Sequence, residues 1–142
     1  MGLPSGCMSD FLEASILGHI FSSSSYAKPT VLAICLSSGI PNDASTGSNF
    51  MELQNAGSYQ RQTLNPSDSN WSIVNNIAYN AVEIQFPVST APQGFCSGIA
   101  ICDSATYGGG NLLYYGQASP AQFIYVGNQM VLPVSGIAVS QD

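Results

Sequence analysis

The fold of this chain is decided by residues 95–116, which read FCSGIAICDSATYGGGNLLYYG. An apolar run, a polar turn with the three glycines 108–110 and a second apolar run predict two strands joined in a hairpin. Side chains alternate along a strand, so the bulkier and the smaller residues of the first run should face opposite ways. The bulkier set is Phe95, Ser97, Ile99 and Ile101, and the smaller set is Cys96, Gly98, Ala100 and Cys102.

Composition excludes several classes of function. The chain has 142 residues, which fits one domain, and 45% of them are hydrophobic, enough for a real core. Only 7% are charged, against about 25% in ordinary soluble domains. The two basic residues, Lys28 and Arg61, cannot form a phosphate-binding groove, so nucleic acid is not an expected partner. A net charge of −6 argues against anionic membranes.

The surface predicted from this composition is neutral and polar. Such a surface suits a protein that packs against neighbours, because neutral polar groups cost less to desolvate than ions. No apolar run approaches the roughly 20 residues that span a bilayer, and the N-terminus lacks the pattern of a signal peptide. We therefore expect the chain to be made and folded in a cytoplasm.

The side chains that carry chemistry form no recognisable pattern. Cys35, Cys96 and Cys102 lie inside apolar runs and are expected to be small buried hydrophobes. His19 is the single histidine, and the eight acidic residues are scattered along the chain. We predict no catalytic residue, no cofactor and no metal site, and the chain is not expected to be an enzyme.

The beginning of the chain predicts an extension and one helix. Residues 1–8 are expected to form a flexible tail or a docking arm, and residues 9–142 a single β-sandwich domain that includes a helix over residues 10–21. Asp10 and Glu13 are suited to the first turn of that helix. An apolar stripe on this helix is expected to cover part of one face of the first strand. The stripe consists of Leu12, Ile16, Leu17, Ile20 and Phe21.

The rest of the chain reads as seven to nine short strands separated by turns. Besides the hairpin, we predict strands at Thr30–Leu36, Tyr59–Leu64, Trp71–Val74, Ala78–Phe86, Phe123–Tyr125, Met130–Val134 and Ile137–Val139. The first is apolar on both faces and should be central. Gly127 and Asn128 predict a tight turn between the strands that flank them. The expected fold is mainly β, an antiparallel sandwich or jelly roll with one short N-terminal helix.

Four tyrosines, Tyr107, Tyr114, Tyr115 and Tyr125, lie on or near the later strands. Tyrosine rings pack in cores, fill protein interfaces or stack on sugars, and these alternatives stay open at this point.

Five pieces of the sequence resemble a group of small tailed-bacteriophage virion proteins, labelled tail-fibre-like or head-decoration proteins. They are EASILGHIF with KPTVLAICLSSG, GSYQRQ, NAVEIQFP, GIAICDSATYGGGNLLYYGQ and VGNQMVLPVSGIAVSQD, in that order from Glu13 onward. Where the family carries tryptophan–glycine before the fourth piece, this chain has Gln93-Gly94.

The resemblance implies a non-enzymatic structural protein of the virion. The role that we expect first is a capsid cement or decoration protein on the capsid exterior, a homotrimer bound to the major capsid protein. One alternative is a tail or tail-fibre component that contacts host glycans, and another is a small jelly-roll carbohydrate-active enzyme. The candidate partner interface consists of Leu3 and Pro4 in the arm and Tyr107, Gly108 and Gly109 in the turn, which we expect to be exposed.

Overall fold

The computed structural model describes residues 8–141, so Leu3 and Pro4 lie outside the described residues. In chain order the elements are α1 Asp10–Phe21, β1 Ala33–Ser37, β2 Gln62–Thr63, β3 Trp71–Val74, β4 Ile77–Asn80, β5 Ile84–Gln85, β6 Gly94–Cys102, β7 Leu112–Ile124, β8 Val131–Leu132 and β9 Ala138–Val139. Within residues 8–141 no helix has the length and hydropathy needed to cross a membrane.

The larger sheet has the strand order β2-β1-β6-β7, with every neighbouring pair antiparallel. All of β1 is buried between β2 and β6. Ile34 and Leu36 join the main core cluster on one face, whereas Ala33 and Cys35 join a smaller cluster with Phe50 on the other. The prediction of a central strand covered on both faces is therefore confirmed.

Two smaller sheets, β3-β4-β9 and β5-β8, supply further walls of the main core. Ile84 of β5, Leu132 of β8 and Val139 of β9 belong to the same buried cluster as Ile34 and Ile99 of the larger sheet. The fold is mainly β with antiparallel sheets and one N-terminal helix, as predicted. Its packing of sheets around one core is consistent with a sandwich.

The strand predicted over Ala78–Phe86 is divided into β4 and β5 by a polar residue. Asn80 is buried, and its amide nitrogen donates to the carbonyl oxygens of Val82 and Pro133, both at 2.8 Å. Its side-chain oxygen accepts from the amide of Ile137 at 2.9 Å. These side-chain bonds interrupt the backbone hydrogen bonding of the predicted strand, and Val82 between β4 and β5 is 38% exposed.

The predicted central hairpin is confirmed as β6 and β7, but its second strand is longer than the sequence indicated. β7 continues to Ile124, which pairs with Gly94 at the far end of β6. The separate strand predicted from Phe123 is therefore wrong. The turn at residues 127–128 exists, since the amide of Asn128 donates to Tyr125, but β8 beyond it pairs with β5.

A bulge in β6 changes the predicted alternation. The register with β7 shifts between Cys96 and Gly98, so Cys96 lies in the main core together with Ile99 and Ile101. Phe95 consequently turns outward and is 40% exposed. Glycine is required at position 98, because a Cβ there would approach the Gly39 carbonyl oxygen to 2.7 Å.

The helix begins where predicted but packs differently. Its N-cap is Ser9, whose Oγ accepts from the Leu12 amide at 3.2 Å. Ser9 also ties the helix to β7, because its amide donates to the Leu113 carbonyl at 2.9 Å and its hydroxyl to the Leu112 carbonyl. Leu12 is the buried residue of this helix.

The apolar stripe of the helix does not cover β1. Leu17, Ile20 and Phe21 are 58%, 63% and 80% exposed. The expected cover is wrong because Phe50 already closes that side of β1, and the helix is anchored to β7 through its first turn. We call these three residues the helix face.

Candidate interaction surfaces

The turn between β6 and β7 contains the predicted interface residues Tyr107, Gly108 and Gly109. Tyr107 is 38% exposed, and the two glycines are half-buried. The Tyr107 hydroxyl donates to the Leu53 carbonyl at 2.7 Å, and its ring meets the Tyr59 ring edge-on with centroids 6.0 Å apart. The turn therefore presents one edge to solvent and is fastened to the domain on its other side.

Arg61 provides most of that fastening. Its Nη1 donates to the carbonyl oxygens of Ser104 at 2.8 Å and Gly109 at 3.0 Å, and its Nη2 donates to the Gly47 carbonyl at 3.0 Å. Its Nε and Nη2 also donate to the two carboxylate oxygens of Glu52 at 2.9 and 2.8 Å. All five guanidinium N–H donors thus have acceptors.

The Glu52–Arg61 ion pair is buried, with side-chain exposures of 6% for Glu52 and 0% for Arg61. Glu52 completes the network, because it also accepts from the Tyr59 hydroxyl at 2.7 Å and from the Gly108 amide at 3.3 Å. Buried charges require this degree of pairing to be tolerated. The ion pair and the five residues bonded to it fasten residues 104–109 to the rest of the domain. These five are Gly47, Tyr59, Ser104, Gly108 and Gly109. We call the pair and these five residues the clamp.

The clamp is not arranged for proton transfer. Burial, followed by the nearby thiol of Cys35 and the carboxylate of Glu52, raises the pKa of the Tyr59 hydroxyl far above its ordinary value. Burial and Glu52 also raise the pKa of Tyr107. Burial lowers the pKa of Arg61, but the hydrogen bonds that it donates to Glu52 and the nearby Cys35, Cys102 and Glu52 together outweigh burial, and the net shift is upward. These groups keep one protonation state across the physiological range, as expected of a structural network.

The thiols of Cys35 and Cys96 are equally unreactive. Burial raises the pKa of Cys96 to about 11, and it raises the pKa of Cys35 as well. A thiol held protonated is a poor nucleophile and a poor metal ligand. Within the described part of the chain, no group of three His, Cys, Asp or Glu side chains could hold a metal ion. His19 is exposed, and its Nδ1 accepts from the Tyr26 amide at 3.1 Å.

A row of three aromatic rings lies at the opposite end of the β6–β7 hairpin. Phe95 and Phe123 are cross-strand partners with ring centroids 5.0 Å apart. Phe123 and Tyr125 stack with centroids 5.6 Å apart and an interplanar angle of 18°. The three side chains are 40%, 54% and 60% exposed. We call them the aromatic ladder.

The aromatic ladder and the helix face are two surfaces of the described residues on which large apolar side chains gather outside the core. Exposed apolar groups that cluster in this way mark interaction sites more often than single exposed residues do. The composition predicted a surface suited to packing against neighbours, and these two areas are where the structure supplies apolar area for it.

Sequence reasoning missed both the clamp and the ladder. One signal for the clamp was present, since Arg61 is one of two basic residues and lies in the middle of a predicted strand. A cation in such a place needs a buried acidic partner. The ladder gave no signal, because the pairing of Phe95 with Phe123 depends on the bulge and on the length of β7.

The profile of one protein family, described as "Podophage GP4 fiber I protein gp80", matches residues 7–140. The match includes every described helix and strand. No curated protein sequence matches the chain.

Proposed function

The chain belongs to the podophage GP4 fiber I protein gp80 family, and from this membership we propose that it is a structural subunit of a virion fibre. The match over residues 7–140 carries the proposal. The family is described as a fibre protein, which favours the tail-fibre alternative over the capsid cement role that the sequence resemblance put first.

Assembly is proposed to use the helix face and the aromatic ladder. Burying an exposed Phe21 or Tyr125 side chain against a neighbouring subunit removes apolar area from water, which stabilises a complex by about 25 cal/mol per Å². Few ions need to be desolvated, since only 7% of the chain is charged. A subunit of this kind contributes packing and requires no catalytic residue.

A cement role on the capsid exterior is the second candidate. It also depends on burial of exposed apolar side chains, with the major capsid protein as the partner and a homotrimer as the bound form. Its support is the resemblance to head-decoration proteins carried by the central hairpin. The two candidates differ in the number of copies and in where they lie.

Gold labelling of a tagged chain in purified virions, combined with quantitative mass spectrometry, separates the two candidates. We expect label on fibres and a copy number far below that of the major capsid protein. Label spread over the head in hundreds of copies would overturn the fibre proposal and support the cement role. A chain absent from purified virions would overturn both.

A further inference from the structure

A cleft of about 900 Å³ opens where the main core reaches the surface. Its floor is apolar and is formed by Leu32, Ile101 and Val139. Its size lies within the range of roughly 300–1,000 Å³ that is typical of small-molecule sites. Trp71 and Tyr114, two half-buried aromatic residues, stand on its walls.

The aromatic side chains are held in place before any ligand arrives. The Trp71 indole N–H donates to the Leu64 carbonyl at 2.8 Å, and Trp71 also packs against the main core. The Tyr114 hydroxyl accepts from the side-chain amide of Gln141 at 2.8 Å. Because the indole donor is already paired, Trp71 offers the cleft an apolar ring surface. Fixed rings reduce the entropy lost on binding.

The other lining groups are polar and nearly balanced in charge. Lys28 and Asp68 contribute one positive and one negative charge, and Asn76 and Gln141 contribute neutral amides. All four residues are exposed, and although the Gln141 amide nitrogen donates to Tyr114, its side-chain oxygen and the polar groups of the other three are accessible to a ligand.

We propose that this cleft binds a neutral oligosaccharide. A sugar ring has an apolar C–H face, which suits the surfaces of Trp71 and Tyr114, and hydroxyls, which suit the amides and the charged groups. Phosphorylated ligands are disfavoured because Lys28 is the single cation among the lining residues. A purely apolar ligand would leave the polar rim desolvated without partners.

Sugar binding by this cleft is an activity additional to fibre assembly, and it rests on the geometry of the cleft alone. Neither the helix face nor the aromatic ladder shares a residue with the lining of the cleft. A negative result in the binding assay and a negative result in virion labelling are therefore separate outcomes.

Binding to the cleft can be measured by the intrinsic fluorescence of the chain. Trp71 is the single tryptophan, so its fluorescence reports on the cleft without labelling. The purified chain is titrated with neutral oligosaccharides of glucose, galactose and N-acetylglucosamine, and in parallel with oligosaccharides that contain a sialic or uronic acid. We expect a saturable change in fluorescence with at least one neutral oligosaccharide.

Two pairs of variants separate the cleft from the rest of the surface. Ile73 lines the cleft and is 76% exposed, whereas the next residue, Val74, is 52% exposed and lies outside the lining. Ile73→Ser should weaken binding by about 3-fold or more through lost apolar contact, and Val74→Ser should leave it unchanged. Asp68→Asn should weaken binding by about 10-fold if it accepts from a hydroxyl, with Glu83→Gln as the matched carboxylate control.

Several results would overturn the proposal. They are no saturable response to any neutral sugar, a response confined to acidic sugars, and equal effects of Ile73→Ser and Val74→Ser. A fluorescence change that follows protein concentration without sugar, together with self-association in analytical ultracentrifugation, would instead assign the cleft to contact with a second copy.

Discussion

The two ends of the β6–β7 hairpin differ in how far their side chains are bonded to the rest of the domain. At the turn end, every guanidinium donor of Arg61 in the clamp has an acceptor, and two of these acceptors are carbonyl oxygens within residues 104–109. At the other end, the aromatic ladder leaves Phe95, Phe123 and Tyr125 between 40% and 60% exposed. The glycine-rich turn is fastened to the domain on one side, and its role as a partner interface stays a prediction. The opposite end of the hairpin exposes more apolar surface.

The largest effect on stability is expected from removing Arg61, the cation of the clamp. Arg61→Ala leaves Glu52 buried without its partner, so the free energy of unfolding should fall by about 3–5 kcal/mol. Urea denaturation followed by circular dichroism measures the loss. Arg61→Lys keeps the charge but offers three donors instead of five, and an intermediate loss is expected. The matched control is Lys28→Ala, an exposed cation, and equal losses in the two alanine variants would refute the role of the clamp.

The second largest loss of stability is expected at alkaline pH, which should weaken the clamp and the adjoining core. The folded-state pKa values of Tyr59 and Cys96 are raised, that of Cys96 to about 11. Groups raised in this way stabilise the fold fully below their unfolded pKa values, and that contribution is lost as pH rises through the folded value. Stability should fall by roughly 2 kcal/mol between pH 9 and 11. Unfolding measured in reducing buffer across this range should give a shallower decline for Tyr59→Phe, and a flat wild-type curve would contradict the expectation.

A smaller effect is expected from a single hydrogen bond of the turn. Tyr107→Phe keeps the ring against Tyr59 but removes the bond to the Leu53 carbonyl, so stability should fall by about 1 kcal/mol. Thermal unfolding measures it, with Tyr125→Phe at the exposed end as the matched control. If the turn is a partner interface as the sequence predicted, Tyr107→Phe virions would also carry fewer copies of the chain.

The smallest effect on folding should come from the aromatic ladder. Phe123→Ser and Tyr125→Ser act on side chains that are 54% and 60% exposed, so stability should change by less than about 1 kcal/mol. Incorporation into virions should nevertheless drop, because these rings are proposed to meet a neighbouring subunit. Quantitative mass spectrometry of purified particles measures incorporation. Normal incorporation of both variants would remove the ladder from the proposed function.

Local patterns predicted the elements whose partners are near in sequence or whose composition is strong. The hairpin, the helix over residues 10–21, the central position of β1 and strand β3 follow from apolar runs and turn residues. The failures share one cause, which is a long-range partner. The side chain of Asn80 ends a strand by bonding to Pro133 and Ile137, more than 50 residues away. Phe50 takes the place on β1 that the helix stripe was expected to fill.

The candidate surfaces were less predictable than the fold. Tyr107, Gly108 and Gly109 were correctly placed in the turn, but the acceptors that bind Arg61 come from two separate connections, β1–β2 and β6–β7. The ladder requires the bulge after Cys96, which reverses the direction of Phe95. A bulge depends on how two strands twist together, and neither strand carries that information alone.

The tie between Ser9 and β7 has a consequence for how copies of this chain can join. β7 is the outer strand of the larger sheet, and an outer strand with unpaired backbone groups recruits other chains by strand addition. Met8 bridges to Tyr114, and the Ser9 amide donates to Leu113, so this stretch of edge is already occupied. The opposite edge, β2, is two residues long and offers little to pair with. Strand addition is thereby disfavoured at residues 113–114 and at β2, so a second copy that approaches either place meets side chains instead of unpaired backbone groups.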